Sequence, residues 1–190
     1  RVREMPYGNE SLKYSSPEAQ RIASESILNF FERVQESSAG TKDELHSFVL
    51  IKNDCVIAEG CAKPLKMDRL HRIYSSAKGI VATAILFAVA EGRLSLDEKL
   101  LNILDDYVPE KVSDKMKRVT VYHLLTMNSG HDEDTCMQMF LSYNWIRPFM
   151  SIEPKYEPGT YFTYNNGIPH ILAAIIKKKT GLDVNEYLKP

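Results

Sequence analysis

The strongest constraint on this chain is the nearly unbroken apolar run from Gly79 to Ala90, closed by Gly92 and preceded directly by Ser75-Ser76-Ala77-Lys78. A run of this length that stops at a glycine reads as a helix. In a helix, the i,i+3 spacing stacks Ser75 and Lys78 on one face of the first turn. That geometry can make a nucleophile. A serine hydroxyl attacks poorly until a base takes its proton, and a lysine whose pKa is lowered by burial can be that base. The helix N-terminus adds positive potential and unpaired N–H groups where an oxyanion would develop. Serine is also a favoured N-cap, so the pair alone does not separate a catalytic site from an ordinary helix start.

A second element lies downstream in Phe162-Thr163-Tyr164-Asn165-Asn166-Gly167, after the turn signal Glu157-Pro158-Gly159 and ahead of the apolar stretch Ile168–Ile176. A phenol near an ammonium group ionises more easily, so Tyr164 can exchange protons with Ser75. Asn166 can accept from Lys78 while donating to a substrate carbonyl. Taken singly, Tyr164 would be a packed ring and Asn166 a helix cap. Together with Ser75 and Lys78 they form a catalytic constellation.

On these residues the chain resembles the penicillin-recognising serine hydrolases, the superfamily of serine β-lactamases, DD-peptidases and related esterases. Tyr164-x-Asn166 resembles the class C-type branch, where class A enzymes carry Ser-Asp-Asn. Supporting segments follow in the family's order: Ile73–Lys78, Ala90–Asp97, Val121–His131 and Tyr161–Asn166. The resemblance implies that Ser75 is the acylated nucleophile, Lys78 its proton-transfer partner, Tyr164 the general base and acid, and Asn166 a ligand of substrate and lysine. It also implies an α+β, β-lactamase/transpeptidase-like fold. Here that would be mostly the helical lobe, plus an N-terminal helix and an antiparallel strand pair, with the C-terminal sheet strands absent.

The family's third motif, Lys-Thr-Gly or His-x-Gly, sits on a C-terminal strand well beyond Tyr-x-Asn. Lys179-Thr180-Gly181 matches its letters, but Ile171–Lys179 reads as an amphipathic helix whose terminal lysines suit the helix dipole and whose Gly181 is a left-handed C-cap. The chain therefore reads as an N-terminal fragment, a single partial domain over residues 1–190. Arg1, standing where an initiator methionine is expected, points to trimming or processing at the other end.

Composition sets wider limits. With 190 residues, 44% hydrophobic and 26% charged, the chain matches ordinary globular averages. Its 24 basic and 25 acidic residues leave a net charge of −1, so no overall field favours nucleic acid or an anionic membrane. Cys55, Cys61 and Cys136 are odd in number and lack metal-type spacing, and they read as small core residues of a reducing, cytoplasmic compartment. Cys55 and Cys61, evenly separated on one strand, are expected on the same face. No signal peptide or membrane-length apolar run is visible, although a removed signal would leave no trace.

A coarse reading along the chain places a polar arm over residues 1–15, then a helix opened by Ser16 and Pro17 and running to about Gln35. After a polar link from Glu36 to Glu44, Ser47–Lys52 and Cys55–Cys61 form antiparallel strands about an Asn53-Asp54 turn. Helices follow near Leu96–Leu104, Val121–Met127, Thr135–Phe149 and Ile168–Lys179, with a last short one after Asp183. The helix and hairpin occupy residues 16–62 and the mainly helical lobe residues 63–190. His123, His131, Asp132, Glu133 and Asp134 match no zinc signature, the acidic run reads as a solvated loop, and S-x-x-K chemistry needs neither metal nor cofactor. The unpaired sheet edge offers a route to homo-oligomers. The expected activity of the parent protein is acyl transfer to water from an ester, amide or β-lactam carbonyl, with a small-molecule or peptide-like acyl substrate, and the fragment is expected to hold an incomplete site for it. The competing reading is a catalytically silent binding or scaffold module of the same fold.

Overall fold

The computed structural model describes residues 12–41 and 45–189. Residues 1–11 of the polar arm and 42–44 of the polar link lie outside them. The chain divides into two compact units, one running to Arg72 and the other spanning Ile73–Lys189.

The first unit is a helix on a small sheet. Strands β1 (Lys13–Tyr14), β2 (Ser47–Lys52) and β3 (Cys55–Cys61) lie in the order β1-β3-β2, with β1 parallel and β2 antiparallel to β3. The hairpin has the expected bounds, and its Asn53 and Asp54 take φ of 49° and 58°, the left-handed turn that suits the twist of paired strands. The end of the expected polar arm is itself a strand. A register shift between Leu50 and Ile51 pairs Leu50 with Ala58 and Ile51 with Val56, leaving Ile57 as the extra residue of a bulge. The bulge also corrects the expectation for the cysteines. Cys55 and Cys61 stand opposite Lys52 and Ser47, which are an odd number of positions apart, so the two thiols fall on opposite faces.

The expected single helix from Ser16 is two pieces. Ser16 Oγ does cap, accepting from Ala19 N at 3.2 Å, but the turn it opens is a short 3₁₀ segment, Glu18–Gln20. Arg21 ends it in the left-handed region at φ 59°, and Glu18 then accepts from Ser24 N at 2.9 Å to start α1 (Ser24–Ser38). The half-buried stripe Ile27, Phe31 and Val34 keeps helical spacing. Phe31 stacks on Phe48 with ring centroids 4.0 Å apart. Gly60, paired with Phe48, makes room for that ring: a β-carbon there would stand 2.8 Å from it.

The second unit is built on two helices. Helix α2 (Ala77–Ala90) buries Ala84, Ile85 and Ala88, and α7 (Ile168–Thr180) buries Ile168, Ile171, Leu172, Ile175 and Ile176 at the i, i+3, i+4 spacing of one face. The small alanines let the isoleucine face of α7 close in. Around this pair stand α3 (Leu100–Ile103), α4 (Val121–Leu125), α5 (Cys136–Phe140), α6 (Ile146–Ser151) and α8 (Val184–Tyr187). Helices α3 to α6 contribute Leu100, Val121, Leu124, Met139 and Phe149 to the same core, and α8 packs Val184 and Tyr187 against it.

Expected helix lengths needed two revisions here. The helix over Leu96–Leu104 is reduced to α3 because Lys99 bridges to Thr120, which commits the preceding backbone to an extended pairing. The helix over Thr135–Phe149 is α5 and α6, separated by a turn at Ser142–Asn144. Asn144 Oδ1 accepts from Ile146 N at 2.9 Å and Arg147 N at 3.2 Å, and so starts a new helix that carries Pro148 in its first turn, where a proline costs little. At the end of α7, Gly181 has φ 77° and its N–H reaches Lys177 O at 2.9 Å. Lys179-Thr180-Gly181 is thus a helix end and not a sheet motif. Its lysines are paired rather than simply solvated: Lys177 with Asp183, Lys178 with Asp105 and Asp106, and Lys179 with Glu98. No helix among the described residues is long and apolar enough to cross a membrane.

Burial locates the stability of this unit on the α2–α7 face. Ile175→Ala, at a fully buried site, is expected to cost about 2–5 kcal/mol in urea denaturation. Leu86→Ala, at a side chain 53% exposed on the same helix pair, is expected to cost well under half of that.

Candidate active site

Ser75 sits in a 3₁₀ turn, Tyr74–Ser76, that runs directly into α2. The residue before it, Tyr74, takes φ 43°, a left-handed conformation that a bulky side chain adopts at a cost of roughly 1–2 kcal/mol. Ser75 is exposed and Lys78 only half-buried. The site is therefore open, unlike the enclosed lysine that the sequence led one to expect. Hydrogen bonds fix the lysine instead. Its Nζ donates to Ser75 Oγ at 2.9 Å and to Asn166 Oδ1 at 2.9 Å, and lies 4.8 Å from the centroid of the Tyr164 ring. The four residues singled out in the sequence, drawn from segments 88 positions apart, therefore meet around one ammonium group.

This charge acts on the phenol. The nearby Lys78 ammonium first and the Ser75 hydroxyl second hold Tyr164 below the ordinary tyrosine range, while burial and the Asp134 carboxylate push the other way. An ionised phenol is thereby available beside the serine at lower pH than for a free tyrosine.

The Tyr-x-Asn segment is held from behind by the loop that follows α4. Tyr156 N donates to Gly130 O at 2.9 Å, Gly159 N to Asn128 O at 2.8 Å and Thr163 N to Met127 O at 3.0 Å. Thr163 Oγ1 adds a bond of 2.6 Å to His131 O. Gly130, at φ 92°, lies where a β-carbon would collide with Tyr156 O, so close an approach that only glycine serves. The His131 ring is buried between Ser129 Oγ at 2.9 Å and Ile152 O at 3.3 Å. His123 Nδ1 accepts from Thr120 N at 3.2 Å, closing a capping box at the start of α4. Burial holds both imidazoles below the usual histidine range. Both rings are engaged in structural bonds, and among the described residues no three His, Cys, Asp or Glu side chains gather as a metal ion would require.

Two residues of the site were not read from the sequence. Asn165, the middle letter of Tyr-x-Asn, is 1% exposed. Its Oδ1 accepts from Thr135 Oγ1 and from Gly167 N, both at 2.9 Å, and its Nδ2 donates to Glu133 O at 3.4 Å. It closes a turn just ahead of α7 and sets Tyr164 and Asn166 on either side of a buried post. The Asn-Asn-Gly run before an apolar helix was the available signal, since asparagine favours helix starts. Asp134 corrects the reading of the acidic run as freely solvated. Its Oδ1 accepts from Asn166 N at 2.9 Å and Cys136 N at 3.0 Å, and its Oδ2 from Asn166 Nδ2 at 2.7 Å. Asp132, in the same run, pairs with Lys155. No local pattern marks an acidic loop residue as a partner of an asparagine 32 positions later.

Several known proteins resemble this chain in sequence or fold. Esterase EstB of Burkholderia gladioli is 28% identical over 137 residues, covering 63% of this chain and 34% of that protein. A putative fimbrial assembly protein, FimD of serogroup D, from Dichelobacter nodosus is 25% identical over 127 residues, covering 63% of this chain and 32% of that one. The chain thus spans about a third of the length of the curated relatives it matches. Among solved structures, the octameric penicillin-binding protein homologue from Pyrococcus abyssi superposes with a TM-score of 0.64 at 24% identity, over 85% of this chain and 41% of that one. A putative 6-aminohexanoate-dimer hydrolase from Bacillus anthracis gives 0.64 at 19% identity, over 80% and 44%. These likenesses establish the β-lactamase/transpeptidase-like fold. The family model described as Beta-lactamase matches residues 47–189, and the chain belongs to that family.

Proposed function

We propose that Ser75 is the nucleophile of a serine hydrolase that works through an acyl-enzyme, with Lys78, Tyr164 and Asn166 as its partners. One observation carries the reading: the Lys78 ammonium donates to both Ser75 Oγ and Asn166 Oδ1 while lying against the Tyr164 ring. An ammonium has no lone pair with which to accept a proton, so the base for Ser75 is the Tyr164 phenolate. Ser75 passes its proton to Tyr164 as its Oγ bonds to the substrate carbonyl carbon. The tetrahedral intermediate collapses, and the leaving group departs with the proton from Tyr164. Water then attacks the acyl-serine and gives its proton to Tyr164; as the second tetrahedral intermediate collapses, the acyl–Oγ bond breaks, Ser75 Oγ takes the proton back from Tyr164, and the acid is released. Asn166 keeps one amide hydrogen for a substrate carbonyl.

Tyr-x-Asn at this position supports the class C-type branch, and an ester is the favoured substrate over a β-lactam, in line with the relation to an esterase. The engagement of all four residues in one cluster argues against a catalytically silent module.

The test is intact-mass spectrometry of the chain after incubation with a fluorophosphonate and, separately, a penicillin. One stoichiometric fluorophosphonate adduct is expected, lost in Ser75→Ala; a chain that stays unlabelled while folded overturns the reading for it. A penicillin adduct in place of the fluorophosphonate one would overturn the preference for esters. The pH dependence tests the base. Because the folded pKa of Tyr164 is lowered, labelling should rise with pH around a midpoint below the ordinary phenol value of about 10. Tyr164→Phe should slow labelling by about 10²–10⁴-fold and flatten that rise.

A further inference from the structure

We propose that Asp134 is a positioning residue of this site, setting the direction of the Asn166 amide and through it the place of the Lys78 ammonium; this rests on the acyl-transfer reading. An asparagine can turn either its oxygen or its NH2 toward a neighbour, and the two ends differ little in shape. Toward an ammonium only the oxygen is productive, because the NH2 would set donor against donor. Asp134 removes the ambiguity. Its carboxylate only accepts, so Asn166 must turn Nδ2 to Oδ2, at 2.7 Å, and thereby Oδ1 to Lys78, at 2.9 Å. The second carboxylate oxygen takes Asn166 N at 2.9 Å, so side chain and backbone of one residue are gripped together.

Asp134 is itself anchored. Cys136 N donates to Oδ1 at 3.0 Å, at the start of α5. Among the described residues no lysine or arginine pairs with it, so its negative charge is offset by hydrogen bonds alone. Burial works against ionisation, but the bonds from Asn166 and Cys136 outweigh it and hold the carboxyl below the usual aspartate range. The result is a line of alternating acceptor and donor from Asp134 through Asn166 and Lys78 to Ser75. Such a line strengthens each bond in it. It also joins the loop before α5, the start of α7 and the start of α2.

Fluorophosphonate labelling rates of Ser75 would be compared for the wild type, Asp134→Ala, Asn166→Ala and the double variant, alongside the side-chain amide resonances of Asn166 in 15N–1H spectra. Asp134→Ala is expected to slow labelling about 10- to 100-fold, the scale of a misplaced catalytic group. The double variant should be no slower than Asn166→Ala, because Asp134 acts only through Asn166. Multiplying effects would mean a separate structural role and overturn the proposal. Asp134→Asn keeps the shape and one acceptor oxygen, and its rate should fall between the two, which covers the case that the alanine variant does not fold. The Asn166 amide resonances, identified by their loss in Asn166→Ala, should move in Asp134→Ala and Asp134→Asn. Unmoved resonances overturn the proposal whatever the labelling shows. A wild-type chain that never labels at Ser75 defeats the acyl-transfer reading instead, and the resonances still decide whether Asp134 holds Asn166.

Discussion

Everything in the second unit depends on the packing of α2 against α7. The buried alanines of α2 and the isoleucine face of α7 belong to one apolar core. Each fully buried isoleucine contributes on the order of 1.5–3 kcal/mol relative to exposure. The pairing has a chemical consequence. Lys78, in the first turn of α2, bonds Asn166, just before the first turn of α7, so the N-terminal ends of both helices open onto one site. Each end carries partial positive charge. Developing negative charge on a phenol or a carbonyl oxygen is favoured there before any substrate-specific contact is made.

Hydrophobic packing fixes where the helices lie but not the angle of a tyrosine. That is set by polar groups in the interior. The strand-like bonds from the loop after α4 to residues 156–163, the buried Ser129–His131 pair and the Asn165 post hold the Tyr-x-Asn segment at both ends. Inside a protein such bonds are strong, and leaving one partner unmet is costly, so the segment has few alternatives. Tyr164 itself remains 49% exposed, in reach of an incoming carbonyl. Rigid backing and an open front suit the proton exchange proposed for Tyr164.

The sequence was most legible where one local rule acted without competition. The hairpin bounds followed from an Asn-Asp turn between β-rich runs. Both ends of α7 followed from an apolar period and a glycine C-cap, and Lys179-Thr180-Gly181 was rightly read as that helix end. Legibility failed where two local signals competed. Ser16 and Pro17 were correct start signals, but Glu18 reached forward to Ser24 and split the helix. The apolar content of Thr135–Phe149 suited one long helix, and Asn144 divided it by taking two backbone amides. The bulge at Ile57 reversed the expected facing of Cys55 and Cys61, since alternation carries no mark of an inserted residue.

Residue type and spacing marked the apolar helix α2 and the Ser75 and Lys78 at its entry, because side-chain chemistry and a 3.6-residue period are local properties, and it was the resemblance to a known family that joined the later Tyr164 and Asn166 to them. That these four meet at one ammonium, that Asn165 is buried and that Asp134 grips Asn166 across 32 positions are properties of the folded chain. They arise from hydrogen bonds between segments far apart in sequence. Such bonds leave no periodic trace, and they exist only once apolar burial has brought their partners together.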